Sequence, residues 1–273
     1  TQVRVRKDLA QQDLVIGFGA LSHHYFAGYG GGRKLFFPGL GFKTDIYSNH
    51  RLFLDRRNGT LSPGCRPGNL DDNPLAADLK DVDDRFPVQR IFIHGLLDSR
   101  GRVADLTTGR CYGDFLRAVQ VVDQCCRSEE TGPFDLVIAS CGGFPKDLNF
   151  IQAHKAVNNA AGFVRDGGSL IVLAQCRDGV GSDTFLPWFE KGGFRAAFTA
   201  LSDNYQGNGG TALSMMTKTA RINVFLKTRL DAKICASMNV EGCSASGAQQ
   251  IIDRTAGSGG SMAVIANASL LIR

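Results

Sequence analysis

Several features are scarce in this 273-residue chain, and each scarcity closes off a class of protein. No eighteen apolar residues run together, so nothing reads as a membrane-spanning helix. The opening "TQVRVRKDL" is charged, unlike the apolar heart of a secretory signal, which places the chain in the cytoplasm. The 31 Lys and Arg give a formal charge of +5 but never gather into a basic run. That spread excludes a nucleic-acid arm or a membrane patch and suits solubility and anionic small ligands. Eight cysteines include no CxxC pair and no framework of a secreted scaffold, so they read as reduced, mostly buried thiols. Internal repeats and low-complexity tracts are absent as well.

Two α/β domains emerge from what is present. The first, residues 1–132, begins with a buried strand, "LVIGFG" (14–19), that empties into a glycine-rich segment running to Gly41. A helix follows from Thr44 or Asp45, both good N-caps, through "TDIYSNHRLFL". Beyond a turn-rich stretch come the short helix "LAADLKDVDDRF", a hairpin around "DSRGR", and the amphipathic helix "YGDFLRAVQVVDQCC". Polar "RSEETGP" (127–133) marks the boundary. The second domain, residues 133–273, alternates strands such as "FDLVIAS", "GSLIVLAQC", "INVFLKT" and "SMAVIAN" with helical segments that include "DTFLPWFEK". Nearly all-apolar strands separated by helices imply a mostly parallel sheet covered on both faces, with the last strand free to return to the first domain. Ligands of such sheets gather at the carboxyl ends of strands, where "SCGGFPKDLN" lies.

Chemistry concentrates in "HHYFAGYGGGRK" (23–34). Gly28, Gly30, Gly31 and Gly32 either let the backbone approach a phosphate, with Arg33 and Lys34 supplying charge, or form a plain tight turn; the spacing fits neither GxGxxG nor a P-loop. Lys34 is either a point charge on a phosphate or a nucleophile joined to a cofactor. Only five histidines occur, and His23, His24 and His50 fall in or just after this segment. His94 reads as a packed strand residue, and His154 as a residue on the solvent face of its helix.

"HHYFAGYGGGRKLFFPG…NH", with "GGFPKDLNFIQAHKA" and "DGGSLIVLAQCRDGVG", closely resembles the nickel-dependent lactate racemase family. The resemblance implies that Lys34 carries, through a thioamide, a pyridinium-3,5-bisthiocarboxylic acid mononucleotide, the nickel-pincer nucleotide, with Arg33, Gly31 and Gly32 beside it. His50, sixteen positions after Lys34, then completes nickel coordination, and His24, ten positions before it, exchanges the substrate hydroxyl proton. Gln152 and Lys155 correspond to residues that hold the substrate. His23 takes a place that the family does not require.

The implied activity is a racemase or epimerase of a 2-hydroxy acid working by hydride transfer, with cofactor-building enzymes as partners and no nucleic acid or membrane. The rival is a non-catalytic module binding a nucleotide phosphate and a metal. The family's Thr-Gly-Thr-His-Arg motif, with its second acid/base histidine, does not occur; "LTTGRC" only superficially resembles it. Together with a start at Thr1, this reads as the later portion of a longer protein, its first domain incomplete and its activity alone impaired. Ile151 stands where the lactate enzyme has tyrosine, and Trp188 lies away from the family's pocket tryptophan, so the acid accepted could be larger or more apolar than lactate.

Overall fold

The computed structural model describes residues 1–130 and 132–273; Thr131, inside the polar boundary stretch, lies outside the described residues. The chain divides into two compact units, Thr1–Arg127 and Ser128–Arg273.

The first unit contains α1 (Lys7–Ala10), β1 (Leu14–Ala20), β2 (Ser22–His24), β3 (Gly28–Gly30), α2 (Lys43–His50), β4 (Leu54–Asp55), β5 (Thr60–Leu61), α3 (Pro74–Asp84), β6 (Gln89–Leu97), β7 (Val103–Gly109) and α4 (Tyr112–Cys126). Its main sheet runs β1-β6-β7, with β1 parallel and β7 antiparallel to β6. The inner face of β1 carries glycine at alternate positions, and this places the site. A Cβ on Gly19 would stand 3.0 Å from Leu35, and one on Gly17 would stand 3.3 Å from Phe36. The single 3-10 turn Gly32–Leu35 can therefore lie directly on the strand. On the outer face Leu14, Ile16 and Phe18 stay exposed, Phe18 at 77%.

The segment from 20 to 41 is more structured than a loop. Ser22↔Gly30, His23↔Tyr29 and His24↔Gly28 pair as an antiparallel hairpin. Its strands have three residues each, too short for a period-2 pattern to register in the sequence. Helix α2 starts at Lys43 after Phe42, without a side-chain cap.

The second unit contains β8 (Phe134–Ser140), α5 (Phe150–Ala160), β9 (Val164–Leu173), α6 (Phe194–Asp203), α7 (Gly209–Thr219), β10 (Asn223–Lys227), α8 (Ala232–Ser237), β11 (Glu241–Gly242), α9 (Ala245–Gly257) and β12 (Met262–Ile265). Every pairing in its five-stranded sheet, order β11-β10-β9-β8-β12, is parallel. Leu136, Val137, Leu170, Ile171, Val172 and Leu226 are essentially inaccessible. Each fully buried aliphatic side chain of this kind contributes roughly 1.5–3 kcal/mol of transfer free energy.

The last strand does not return to the first domain. Met262–Ile265 pairs with Leu136–Ala139 of β8, where its apolar residues extend a sheet edge that connection through α9 brings within reach. "LPWFEK" closes as a 3-10 segment, Leu186–Lys191, with Pro at its start, while α6 and α8 are helices that the sequence pattern did not announce.

Candidate functional site

Successive residues of a strand face opposite ways, and the β2–β3 hairpin uses this to separate its two histidines. His23 points toward α4, where its Nε2 donates to Asp123 Oδ1 at 2.7 Å. Its cross-strand neighbour Tyr29 donates its hydroxyl to Asp123 Oδ2 at 2.8 Å, and Arg127 reaches the same oxygen at 3.2 Å. Desolvation raises the pKa of Asp123, but hydrogen bonds from His23, Tyr29 and Arg127 outweigh it and hold the carboxyl below its ordinary value. Burial, reinforced by Asp123, pushes the Tyr29 phenol up.

His24 faces the other way. Its ring lies edge-on to Phe26 at 4.5 Å and stacks on Tyr25 at 5.1 Å. Its Nδ1 accepts the backbone N–H groups of Phe26 (3.4 Å) and Ala27 (3.2 Å), so the neutral ring carries its proton on Nε2.

Phe26, 4% exposed, is the hub of the group. His50 meets it edge-on at 5.0 Å, and Lys34 Nζ lies 5.9 Å from its centroid. Three residues separated in sequence thus share one ring. His50 closes α2, and its Nδ1 donates to the Ile46 carbonyl at 2.8 Å. Burial, and then the charge of Lys34, lower the His50 pKa to about 4 against the opposing pull of that carbonyl. At neutral pH the ring is uncharged with its lone pair on Nε2, the form that ligates a metal. Among the described residues no three His, Cys, Asp or Glu side chains assemble as a metal set. A metal at His50 would therefore take its other donors from a bound group, which fits a ligand bringing its own sulfur atoms.

Arg33 and Lys34 leave their turn toward different rings. The Arg33 guanidinium, in a residue 4% exposed, lies 4.5 Å from the Phe115 centroid and 5.7 Å from that of Tyr112. The glycines before it have structural reasons for their identity. Gly31 (φ +72°) has the Ala20 carbonyl where a Cβ would stand, and Gly32 (φ +56°) has Phe115 at 3.0 Å. The tight-turn reading accounts for both: protein atoms fill the space that a phosphate would need. His94, read as packed, is 2% exposed and stacks on Phe92.

In the second unit, Asn149 caps α5 by accepting the Gln152 N–H at 3.1 Å. The N–H groups of Phe150 and Ile151 go to the carbonyls of Gly179 and Val180. The start of the helix is satisfied, so any anion here is held by side chains. Lys155 Nζ donates to Gln152 Oε1 at 2.9 Å. With its carbonyl engaged, Gln152 turns its amide N–H groups outward, and the pair presents only donors, as a carboxylate requires. His154 does not face solvent: it is fully buried, with its pKa lowered to about 3 by burial and then by Lys218 and Lys155.

Sequence reasoning missed Asp123 and the central role of Phe26. A signal existed for the first: Asp123 sits four residues after Val119, on the apolar stripe of its helix, where a carboxylate needs a partner.

Residues 1–61 match the family model described as the lactate racemase N-terminal domain, and residues 129–219 match the lactate racemase C-terminal domain. The lactate racemase of Thermoanaerobacterium thermosaccharolyticum is 28% identical over 190 residues, 70% of this chain and 43% of that protein. The lactate racemase of Lactiplantibacillus plantarum is 31% identical over 185 residues, 66% of this chain and 41% of that protein. The chain thus spans less than half the length of these curated relatives. The lactate racemase apoprotein structure from T. thermosaccharolyticum superposes with a TM-score of 0.87 at 24% identity, covering 99% of this chain and 65% of that one. A Thermotoga maritima protein gives 0.72 at 16%, covering 99% and 69%. At these identities the structural matches speak to fold alone.

Proposed function

The chain belongs to the lactate racemase family, and from that premise we propose that it racemises or epimerises a 2-hydroxy acid using a nickel-pincer pyridinium mononucleotide joined to Lys34. When bound, that group supplies a sulfur-ligated nickel and a ring able to accept and return hydride, the difficult part of inverting a tetrahedral carbon. The observation that carries the reading is the meeting of His24, Lys34 and His50 around Phe26.

Each residue has a task that its surroundings suit. Lys34 provides the amine for attachment. His50, kept neutral by burial and oriented by the Ile46 carbonyl, offers Nε2 to the metal. His24 handles the substrate hydroxyl proton. Accepting it at Nε2 obliges the ring to turn or to pass on the proton already there, and the backbone contacts it gives up are long and therefore weak. Lys155 and Gln152 bind the substrate carboxylate as an all-donor pair. The partners follow: a small 2-hydroxy acid and the enzymes that build the cofactor.

Intact-mass measurement on protein produced together with those enzymes tests this directly. A covalent adduct mapping to Lys34, with nickel retained only in its presence, is expected. An unmodified Lys34 under those conditions overturns the proposal. Reversible nucleotide binding that survives Lys34→Ala without nickel would indicate the non-catalytic module instead.

A further inference from the structure

Arg33 poses a problem that the reading above leaves open. Its Nε and both Nη atoms are buried and have no hydrogen-bond partner. Burial lowers the pKa of the guanidinium, and only the Tyr112 and Asp83 groups act in the other direction. Desolvating a guanidinium costs several kcal/mol, while stacking on Phe115 and Tyr112 returns about 2.

The surroundings add positive charge. Tyr112 and Phe115 belong to the first turn of α4, a 15-residue helix whose starting N–H groups form its positive pole. Lys80 Nζ lies 5.1 Å from the centroid of the same Tyr112 ring. Two cations and a helix start therefore converge on one half-buried phenol ring. The neighbouring carboxylates are committed elsewhere: Asp83 to Arg90, Asp84 to Lys80, and Asp114 to Arg117 and the N–H groups of Arg110 and Cys111.

We propose that Arg33, Lys80 and the first turn of α4 form an oxyanion site that takes a phosphate group and is opened by rotation of the Tyr112 side chain. A planar guanidinium fork, an ammonium and helix N-terminal amides together suit phosphate better than carboxylate. The site is separate from the group around Phe26 and does not depend on attachment at Lys34. The phosphate could be free inorganic phosphate or that of a mononucleotide.

Thermal unfolding of the full chain, with inorganic phosphate titrated against chloride at matched ionic strength, provides the test. Phosphate should raise the melting temperature of the wild type by several degrees and leave Arg33→Met unmoved. Without phosphate, Arg33→Met should melt at or above the wild-type temperature, because an apolar chain replaces an unpartnered cation. If that variant fails to fold, Arg33→Lys is used, and calorimetry should show phosphate affinity down at least tenfold. Lys34→Ala should bind phosphate as the wild type does, so failure of this site and failure of the Lys34 proposal are distinguishable. Competition by nicotinic acid mononucleotide, but not by its riboside, assigns the site to a nucleotide phosphate; lack of competition assigns it to the free ion. A wild-type response no larger than that to chloride, or an equal response in Arg33→Met, overturns the inference.

Discussion

Each unit holds a neutral histidine near a lysine, yet the two arrangements differ in kind. In the first, His50 and Lys34 border the Phe26 ring, Lys34 is half-buried, and the imidazole is oriented by the Ile46 carbonyl. In the second, His154 is sealed between helices near Lys218, whose Nζ donates to the Ser214 carbonyl (3.0 Å) and hydroxyl (2.8 Å). Both histidines have lowered pKa values with burial as the leading cause. A perturbed histidine therefore does not by itself mark a site. What distinguishes the first pair is a lysine at the edge of the structure and an imidazole held by its Nδ1.

The strongest way to break this contrast is Lys218→Met. Burial lowers the Lys218 pKa to about 7 from 10.5. Between those values the unfolded chain binds the proton and the folded chain does not, so wild-type stability should climb with pH across that window. Below it, the folded protein carries the buried charge in full. The variant should lose that climb and exceed wild type by on the order of 3 kcal/mol at pH 6, measured by denaturant unfolding. A variant less stable than wild type there would mean that the amine is structurally required.

His154→Phe should have a smaller effect of opposite pH sense. With a folded pKa of about 3 against 6.5 unfolded, wild type should lose stability as pH falls from 6.5 toward 3. The variant should flatten that acid loss by about 2 kcal/mol. The smallest change is expected from Lys34→Met, within about 0.5 kcal/mol of wild type, because a half-buried surface amine contributes little to stability. Its informative signature is NMR titration of His50, whose pKa should rise from about 4 once the neighbouring charge is gone, without reaching 6.5, since burial is the larger cause.

The legible parts of the fold were those with long periodic segments. β8, β9 and β10 announce themselves because they are nearly continuous apolar runs, and α3 because Asn73 and Pro74 mark its start. The residues of the first site were legible through spacing, but their common neighbour Phe26 was not, because nothing in a linear order shows which ring three others will share. His154 was misplaced because Lys155 and Gln152 beside it suggest a solvated face, while α7 covers the opposite one. The glycines were ambiguous because a turn that nestles against its own strand and a loop that cradles phosphate demand the same lack of Cβ.

The clamp on Asp123 limits how this protein can be dissected. His23 and Tyr29 reach across the hairpin to a carboxylate a hundred positions later, with Arg127 completing the grip. Any excised piece meant to present His24 and Lys34 in working order would have to extend through Arg127. A shorter fragment, however intact its glycine-rich stretch, would leave two buried side chains without the acceptor that sets their direction.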